Sequence, residues 1–389
     1  MGMTYLYLAL ALMLCLLMSK LMKVVKLPNV TGYLVIGLIF GPYCLKVIPA
    51  DTLDSLGFIS EIALGFIAFS IGAEFRISFL KKVGKSPVII AILEAVGAVI
   101  VVDLVLIITG ADPAFSVVLG AIAAATAPAA TLMVVRQYKA KGPVTDTLLP
   151  VVALDDAAAL MAFGLSVAVA KALQSSGAFS FTTTVLKPLA EIFGALGIGA
   201  VLGLGMVVLC KWFTGRGNRL AITIAFILAT SGICGLLGWS QLLACMMMSA
   251  VFCNLSKASE VVFELTDRLT PPLFMLFFFL SGAALDLSIL PAVGVTGALY
   301  VVFRVAGKML GAFAGAKISR APAVVAKYLG FTLVPQAGVA IGLATTAMTV
   351  VPEFGPQIRT IILCGTVIYE LTGPVITKLA LKKAGEITA

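Results

Sequence analysis

Apolar stretches of about 20 residues, each long enough for a helix to cross a bilayer, follow one another from Met3 to Ala380 with short polar joints between them. Nothing else in the sequence limits the fold so severely. Thirteen segments can be drawn, at roughly 3–22, 29–47, 56–75, 87–109, 114–136, 144–170, 187–210, 218–237, 240–255, 270–285, 289–315, 322–349 and 357–380. Segments 240–255 and 270–285 are short for a full crossing. Of the 389 residues, 61% are hydrophobic and 12% charged, where a soluble domain carries about a quarter charged. The expected fold is an all-α polytopic membrane protein with 13 transmembrane helices.

The basic residues test that count. Twenty-one of the 27 lysines and arginines fall in alternate loops, among them Lys20, Lys23, Lys26, Lys81, Lys82, Arg136, Lys139, Lys141, Arg216, Lys317 and Lys383. Four (Lys46, Lys171, Lys187, Arg359) fall on the other side, and Arg304 and Lys308 lie inside a segment. Basic loops stay cytoplasmic, which places the N-terminus outside and the C-terminus in the cytoplasm of a cell with this chain in its inner or plasma membrane. The first run, Tyr5 to Met18, has its lysines after it, the reverse of a cleavable signal peptide, and reads as a retained span. The net charge of +9 is accounted for by these loops and implies no nucleic acid. Seven scattered cysteines show no metal-ligand spacing, and no cofactor is implied. With no histidine in the chain, proton chemistry must use carboxylates or lysines.

Two features recur at an offset of seven segments. Phe69-Ser70-Ile71-Gly72-Ala73-Glu74-Phe75 ends the third, and Phe279-Leu280-Ser281-Gly282-Ala283-Ala284-Leu285 ends the tenth. Pro128, in Ala125-Thr126-Ala127-Pro128-Ala129-Ala130-Thr131, interrupts the fifth; Pro335, in Val334-Pro335-Gln336-Ala337-Gly338, interrupts the twelfth. An odd offset inverts the second copy, the mark of inverted-repeat transporters. Proline removes a helix bond, and non-helical backbone at membrane depth is tolerated only where protein or a water-filled cavity covers it. The paired prolines therefore predict broken helices within two inverted six-helix repeats.

Charges fall inside this frame. Asp155 and Asp156 are adjacent in the sixth segment, and each costs roughly 2.5–3.5 kcal/mol near a bilayer centre. Such a pair points to the movement of ions or protons. Adjacent side chains diverge by about 100° around a helix, so one faces a cavity while its neighbour reaches sideways to a cation. Arg304 and Lys308, four apart, share one face of the eleventh segment, and buried cations require anionic partners. A purely structural set of ion pairs among these four residues is the plain alternative. Glu61, Glu94, Asp103 and Glu370 are further membrane acids without an assigned role. Glu94 and Asp103, nine residues apart, face opposite sides of their helix and do not form one site, while Glu370 is close enough in sequence to the basic C-terminus to pair with it.

These charges, with Lys141-Gly142-Pro143-Val144-Thr145-Asp146-Thr147-Leu148-Leu149-Pro150 ahead of the aspartates and Leu27-Pro28-Asn29-Val30-Thr31-Gly32-Tyr33-Leu34-Val35-Ile36-Gly37 near the start, resemble the bacterial monovalent cation:proton antiporters. The match is to sodium/proton exchangers with two adjacent aspartates and covers essentially the whole chain. The resemblance implies an NhaA-like antiporter fold with crossed broken helices. It implies that Asp156 holds both the dehydrated cation and the transported proton. Asp155 would be its partner, ion-paired with Lys308 when the cation is absent. Thr126 and the backbone near Pro128 would add polar contacts, although Thr126 is equally able to bond its own helix. Arg304 would make a structural ion pair with Glu191. Where family members often carry a glutamate beside the second break, this chain has Gln336 and Ala337, and no nucleotide-binding regulatory domain is expected after Ala389.

The same resemblance implies electrogenic exchange, two protons per cation, by an elevator-like movement within a homodimer. Residues 1–86 and 212–286 would form the scaffold and dimer domain, 87–172 and 287–389 the ion-transporting core, and 187–211 a linker helix. The expected function is sodium (or lithium)/proton antiport serving pH homeostasis, with the cation, protons and the bilayer as partners. A hard monovalent cation requires oxygen ligands, and cation and proton then compete for one set of oxygens. A potassium/proton antiporter is the nearest alternative. A sodium-coupled organic-anion symporter would line the crossing with polar sodium ligands in place of an aspartate pair and a lysine, and a channel would not couple cation movement to pH. No nucleophile–base pair suggests an enzyme.

Overall fold

The computed structural model describes residues 2–25, 27–78, 81, 84–174, 187–285, 291 and 294–387. Lys26, Lys82 and the 175–186 connection lie outside these, as does the side chain of Glu74. Among the described residues all regular structure is helical. In chain order the α-helices are α1 (Gly2–Val24), α2 (Asn29–Phe40), α3 (Ala50–Ser55), α4 (Gly57–Gly72), α5 (Ser86–Ile108), α6 (Pro113–Ala123), α7 (Pro128–Gln137) and α8 (Pro143–Gln174), then α9 (Lys187–Trp212), α10 (Arg216–Leu237), α11 (Gln241–Leu255), α12 (Ser259–Ala283), α13 (Gly294–Ile318), α14 (Ala323–Thr332), α15 (Gly338–Val350) and α16 (Gly355–Lys383). Nine helical stretches among the described residues are long and apolar enough to cross a membrane, with α3–α4 and α6–α7 each counted as one; α2, α11, α14 and the first part of α15 are shorter apolar helices. The chain is an all-helical polytopic membrane protein.

Two expected segments change their limits. The one expected at 270–285 belongs to α12, which begins at Ser259. Glu260, Glu264, Asp267 and Arg268 lower the hydropathy of its first turns, and Pro271 and Pro272 read as a boundary, yet the helix runs through them. Its charged end is held by Glu264, which accepts from Arg216 (2.9 Å) and Arg268 (2.6 Å). The segment expected at 29–47 is helical only to Phe40; beyond it the chain turns, with Lys46 left-handed at φ 57°.

The chain divides into two compact units, each assembled from separated stretches. The first comprises Met1–Lys26, Gly32–Lys82 and Ala190–Ala284; the second comprises Leu27–Thr31, Val83–Leu189 and Leu285–Ala389. In the first unit the two glycines of the repeated motif are both points of close helix approach. A methyl group at Gly72 would lie 2.9 Å from the carbonyl carbon of Met246 on α11, and one at Gly282 would lie 2.8 Å from Leu34 Cα on α2. Small residues let membrane helices gain van der Waals contact where no hydrophobic force draws them together. In the same unit the Phe263 ring packs against Phe69 and Phe252, with ring centroids 5.3 and 6.4 Å apart.

The second unit contains two interrupted helices. Asp112 caps α6 by accepting from Ala114 N–H (2.7 Å) and Phe115 N–H (3.2 Å); α6 stops at Ala123 and α7 opens at Pro128. Likewise α14 stops at Thr332, α15 opens at Gly338, and Pro335 lies in the gap. The two gaps meet. Ala127 N–H donates to the Pro335 carbonyl (2.8 Å), Gln336 Nε2 donates to the Ile122 carbonyl (3.0 Å), and the Thr131 hydroxyl donates to the Thr332 carbonyl (3.3 Å). Backbone groups freed by each interruption thus find partners at the other, as hydrocarbon depth demands.

Candidate functional site

Glycines on α13 set the site. A Cβ on Gly307 would lie 2.7 Å from the Gly97 carbonyl oxygen, and one on Gly311 would lie 2.6 Å from Glu94 Cα. Without side chains there, α5 passes close against α13, and Glu94 arrives beside Lys308 between those two glycines.

The Lys308 ammonium then has three partners. It donates to Glu94 Oε2 (2.7 Å), to Thr126 Oγ1 (2.8 Å) in the first gap, and to Asp155 Oδ2 (3.1 Å) on α8. An ammonium has three hydrogens to give, and all are used. Lys308 and Thr126 are 1% exposed and both carboxylates 0%. Asp156, the next residue on α8, is also buried. One oxygen on each acid (Glu94 Oε1, Asp155 Oδ1 and Asp156 Oδ1) is buried without a hydrogen-bond partner. Buried polar atoms normally have partners; here two lone acceptors belong to the acids that hold the ammonium and a third to the next residue on α8. Among the described residues no group of three His, Cys, Asp or Glu side chains is arranged to hold a metal ion; the ammonium sits among the acids instead. Two carboxylates thus hold one ammonium, and a third follows at the next position of α8; such an excess of acids in a dry interior is costly.

Arg304, one turn before Lys308, has a different task. Its Nε donates to the Ala123 carbonyl (3.0 Å), Nη1 to Val334 (2.8 Å) and Nη2 to Ala125 (2.7 Å). Its guanidinium carbon stands 4.5 Å from the centre of the Tyr369 ring. The carbonyl ends of α6 and α14 carry partial negative charge, and this cation neutralises both. Within the second unit its partners are thus backbone carbonyls and the Tyr369 ring; Glu191, expected to pair with it, is half-buried on α9 in the first unit. Gln336, where a glutamate was the family expectation, bonds the Tyr300 hydroxyl (2.9 Å) as well as Ile122.

Of the sequence candidates, Asp155, Thr126 and Lys308 come together, with Asp156 adjacent. Glu94 is the residue sequence reasoning missed. Its signals were the count of acids against cations and the glycines at 307 and 311, which allow one neighbouring helix to approach. Asp103 is half-buried beside Gly120, Glu61 is exposed, and Glu370 is buried on α16.

Charges kept this dry, on helices interrupted in this way, belong to membrane proteins that carry ions or polar solutes. Residues 8–383 match the family described as sodium/hydrogen exchanger, transmembrane, and the chain belongs to that family of transporters. It is similar to Na(+)/H(+) antiporter 1 of Methanocaldococcus jannaschii, with 33% identity over 147 residues, 36% of this chain and 34% of that relative. The match thus spans about a third of the relative's length. In fold it is similar to two solved structures of the sodium proton antiporter MjNhaP1 from the same organism, both at 21% identity. The structure at pH 8 gives a TM-score of 0.73 over 97% of this chain and 99% of the other; the electron-microscopy map gives 0.80 over 100% and 99%. At that identity the likeness shows the fold.

Proposed function

We propose that this protein is an electrogenic sodium (or lithium)/proton antiporter of an inner or plasma membrane, in which the cation and two protons compete for Asp155 and Asp156. One observation carries the reading: the Lys308 ammonium is shared by Glu94 and Asp155 while an oxygen of each surrounding acid has no donor. The bond to Asp155 is the longest of the three that Lys308 makes. A cation arriving at the aspartates draws Asp155 away first and leaves the ammonium on Glu94 and Thr126. Lys308 and Glu94 then stay a neutral pair, and only the two aspartates change charge. With one monovalent cation they carry a net charge of −1; with two protons they are neutral. Each turnover then moves one cation against two protons and carries charge.

Around this site, thirteen crossings form if α3–α4, α6–α7 and α14–α15 each count as one, arranged as two inverted six-helix repeats. The matched gaps and the matched glycines, Gly72 and Gly282, support that arrangement. The second compact unit is the ion-carrying core and the first the scaffold, through which two copies pair as a homodimer, with α9 as the linker. The core moves elevator-like to expose the aspartates to either side in turn, with the N-terminus outside and the C-terminus in the cytoplasm. Cation jumps onto proteoliposomes on a solid-supported membrane, with a pH-sensitive dye inside, test the function. Sodium and lithium each drive protons the opposite way, and Asp156→Asn abolishes the signal. Undiminished exchange by Asp156→Asn refutes the site; equal signals from potassium reassign the cation; current without proton movement excludes an antiporter.

A further inference from the structure

The helix that bears the aspartates starts without a cap of its own. Pro143 opens α8, and Gly142 before it has no side chain to accept the amide hydrogens of the first turn. A Ser, Thr, Asp or Asn ordinarily does this. Here the acceptor comes from 241 residues along the chain. Glu386 Oε1 accepts from Val144 N–H (2.5 Å), and Oε2 accepts from both the N–H and the hydroxyl of Thr145 (2.7 Å each). Lys141 N–H in turn donates to the Glu386 carbonyl (3.1 Å). Glu386 is only 7% exposed. It reaches this position because Gly385, at φ 78°, turns the chain back after α16 ends. Gly142 is part of the fit, since a Cβ there would lie 2.6 Å from Glu386 Cδ. Between this clasp and the aspartates, α8 contains Pro150. Proline removes a backbone bond and weakens the helix at that point. The helix nevertheless runs unbroken from Pro143 through Pro150 to Gln174, so the clasped first turn and the aspartate-bearing stretch are parts of one rod, and what fixes the first turn bears on where Asp155 stands.

We propose that Glu386 is a positioning residue for the exchange site: by holding the first turn of α8 it keeps Asp155 where its Oδ2 meets Lys308. The proposal rests on reading Asp155 and Asp156 as that site. Loss of a helix cap lowers the population of the capped arrangement by roughly 2- to 30-fold, and apparent affinity falls by the fraction of competent molecules lost.

The test uses the full chain in lipid, wild type beside Glu386→Ala, Glu386→Gln and Gly142→Ala. Two quantities are measured: amide hydrogen exchange over residues 142–150, and the sodium dependence of proton movement. In Glu386→Ala the amides of Val144 and Thr145 exchange faster, and the apparent KM for sodium rises roughly 2- to 30-fold with little change in maximal rate. Glu386→Gln, which keeps one acceptor oxygen, falls between. Gly142→Ala, at φ 153°, strains the turn as well as crowding Glu386; it leaves the Glu386 charge in place, reproduces both effects, and serves if Glu386→Ala does not fold. Unchanged amide exchange in both variants overturns the clasp. Faster amide exchange with wild-type KM overturns the positioning role. Should wild type itself exchange no sodium for protons, the reading of the site fails, and the positioning role with it, while the amide measurement still decides the clasp.

Discussion

Replacing Glu94 with glutamine keeps an acceptor beside Lys308 and removes a charge. Glu94 Oε2 and Asp155 Oδ2 lie 2.7 and 3.1 Å from the same ammonium. At an effective dielectric constant of about 20, their gross attractions to it are about 6 and about 5 kcal/mol. Most of the first is offset by hydration forgone and by the bond the amide retains. What is lost is the difference between a charge-assisted and a neutral hydrogen bond, about 1–1.5 kcal/mol. Asp155 then becomes the ammonium's only charged partner, and taking Asp155 away costs that much more, whether a cation or a proton takes it. The apparent KM for sodium rises about tenfold. Asp155 is also held more firmly by Lys308, so Asp156 alone trades one cation for one proton and the charge carried per sodium falls towards zero. Currents on a solid-supported membrane, compared with dye-reported proton flux in the same proteoliposomes, read both effects. A variant with wild-type KM and a wild-type ratio of current to proton flux refutes the reasoning.

Three further substitutions probe the scaffold of the site. Arg304→Lys gives up the forked donors that join the two gaps; with at least two charge-assisted bonds gone, the protein loses about 3–6 kcal/mol, seen as a large fall in Tm in detergent. Glu191→Gln leaves Tm where it was, and an equal fall in both variants would make Glu191 a partner of Arg304. Gly311→Val forces α5 away from α13, costs about 1–3 kcal/mol in overpacking, and lowers sodium affinity with it by lengthening the Glu94–Lys308 bond; unchanged thermal stability counts against the close approach. Lys308→Ala leaves Glu94 and Asp155 without their cation and moves the pH profile of exchange; a profile that stays put removes Lys308 from the mechanism.

Much of the architecture is legible before any coordinates. A proline or a carboxylate inside an apolar run has few harmless explanations in hydrocarbon, so Pro128, Pro335, Asp155 and Asp156 announce themselves. The rest depends on which helices touch, and in what register. Glu94 is one acid in a helix with a second, Asp103; only the packing of α5 on α13 decides which of them meets a cation. Arg304 illustrates a different limit. Three of its partners are backbone carbonyls, which every residue possesses, so no side-chain pattern could name them; the pairing with Glu191 came only from the family resemblance. The early start of α12 was hidden because charges that pair with one another, Glu264 with Arg216 and Arg268, lower hydropathy while leaving the helix intact. Glu386 lies near the end of the chain and caps a helix 241 residues earlier, a relation that only the fold creates.

The most direct measurement is the pH dependence of the apparent sodium KM of wild type, taken at zero membrane potential and saturating counter-proton gradient. If sodium and protons exclude one another from the aspartates, KM climbs steadily as pH falls, by about tenfold per unit for each competing proton, while the maximal rate at saturating sodium is preserved. A KM that holds constant across pH while only the maximal rate changes would mean the two ions are held at separate sites, and the competition at Asp155 and Asp156 would be wrong.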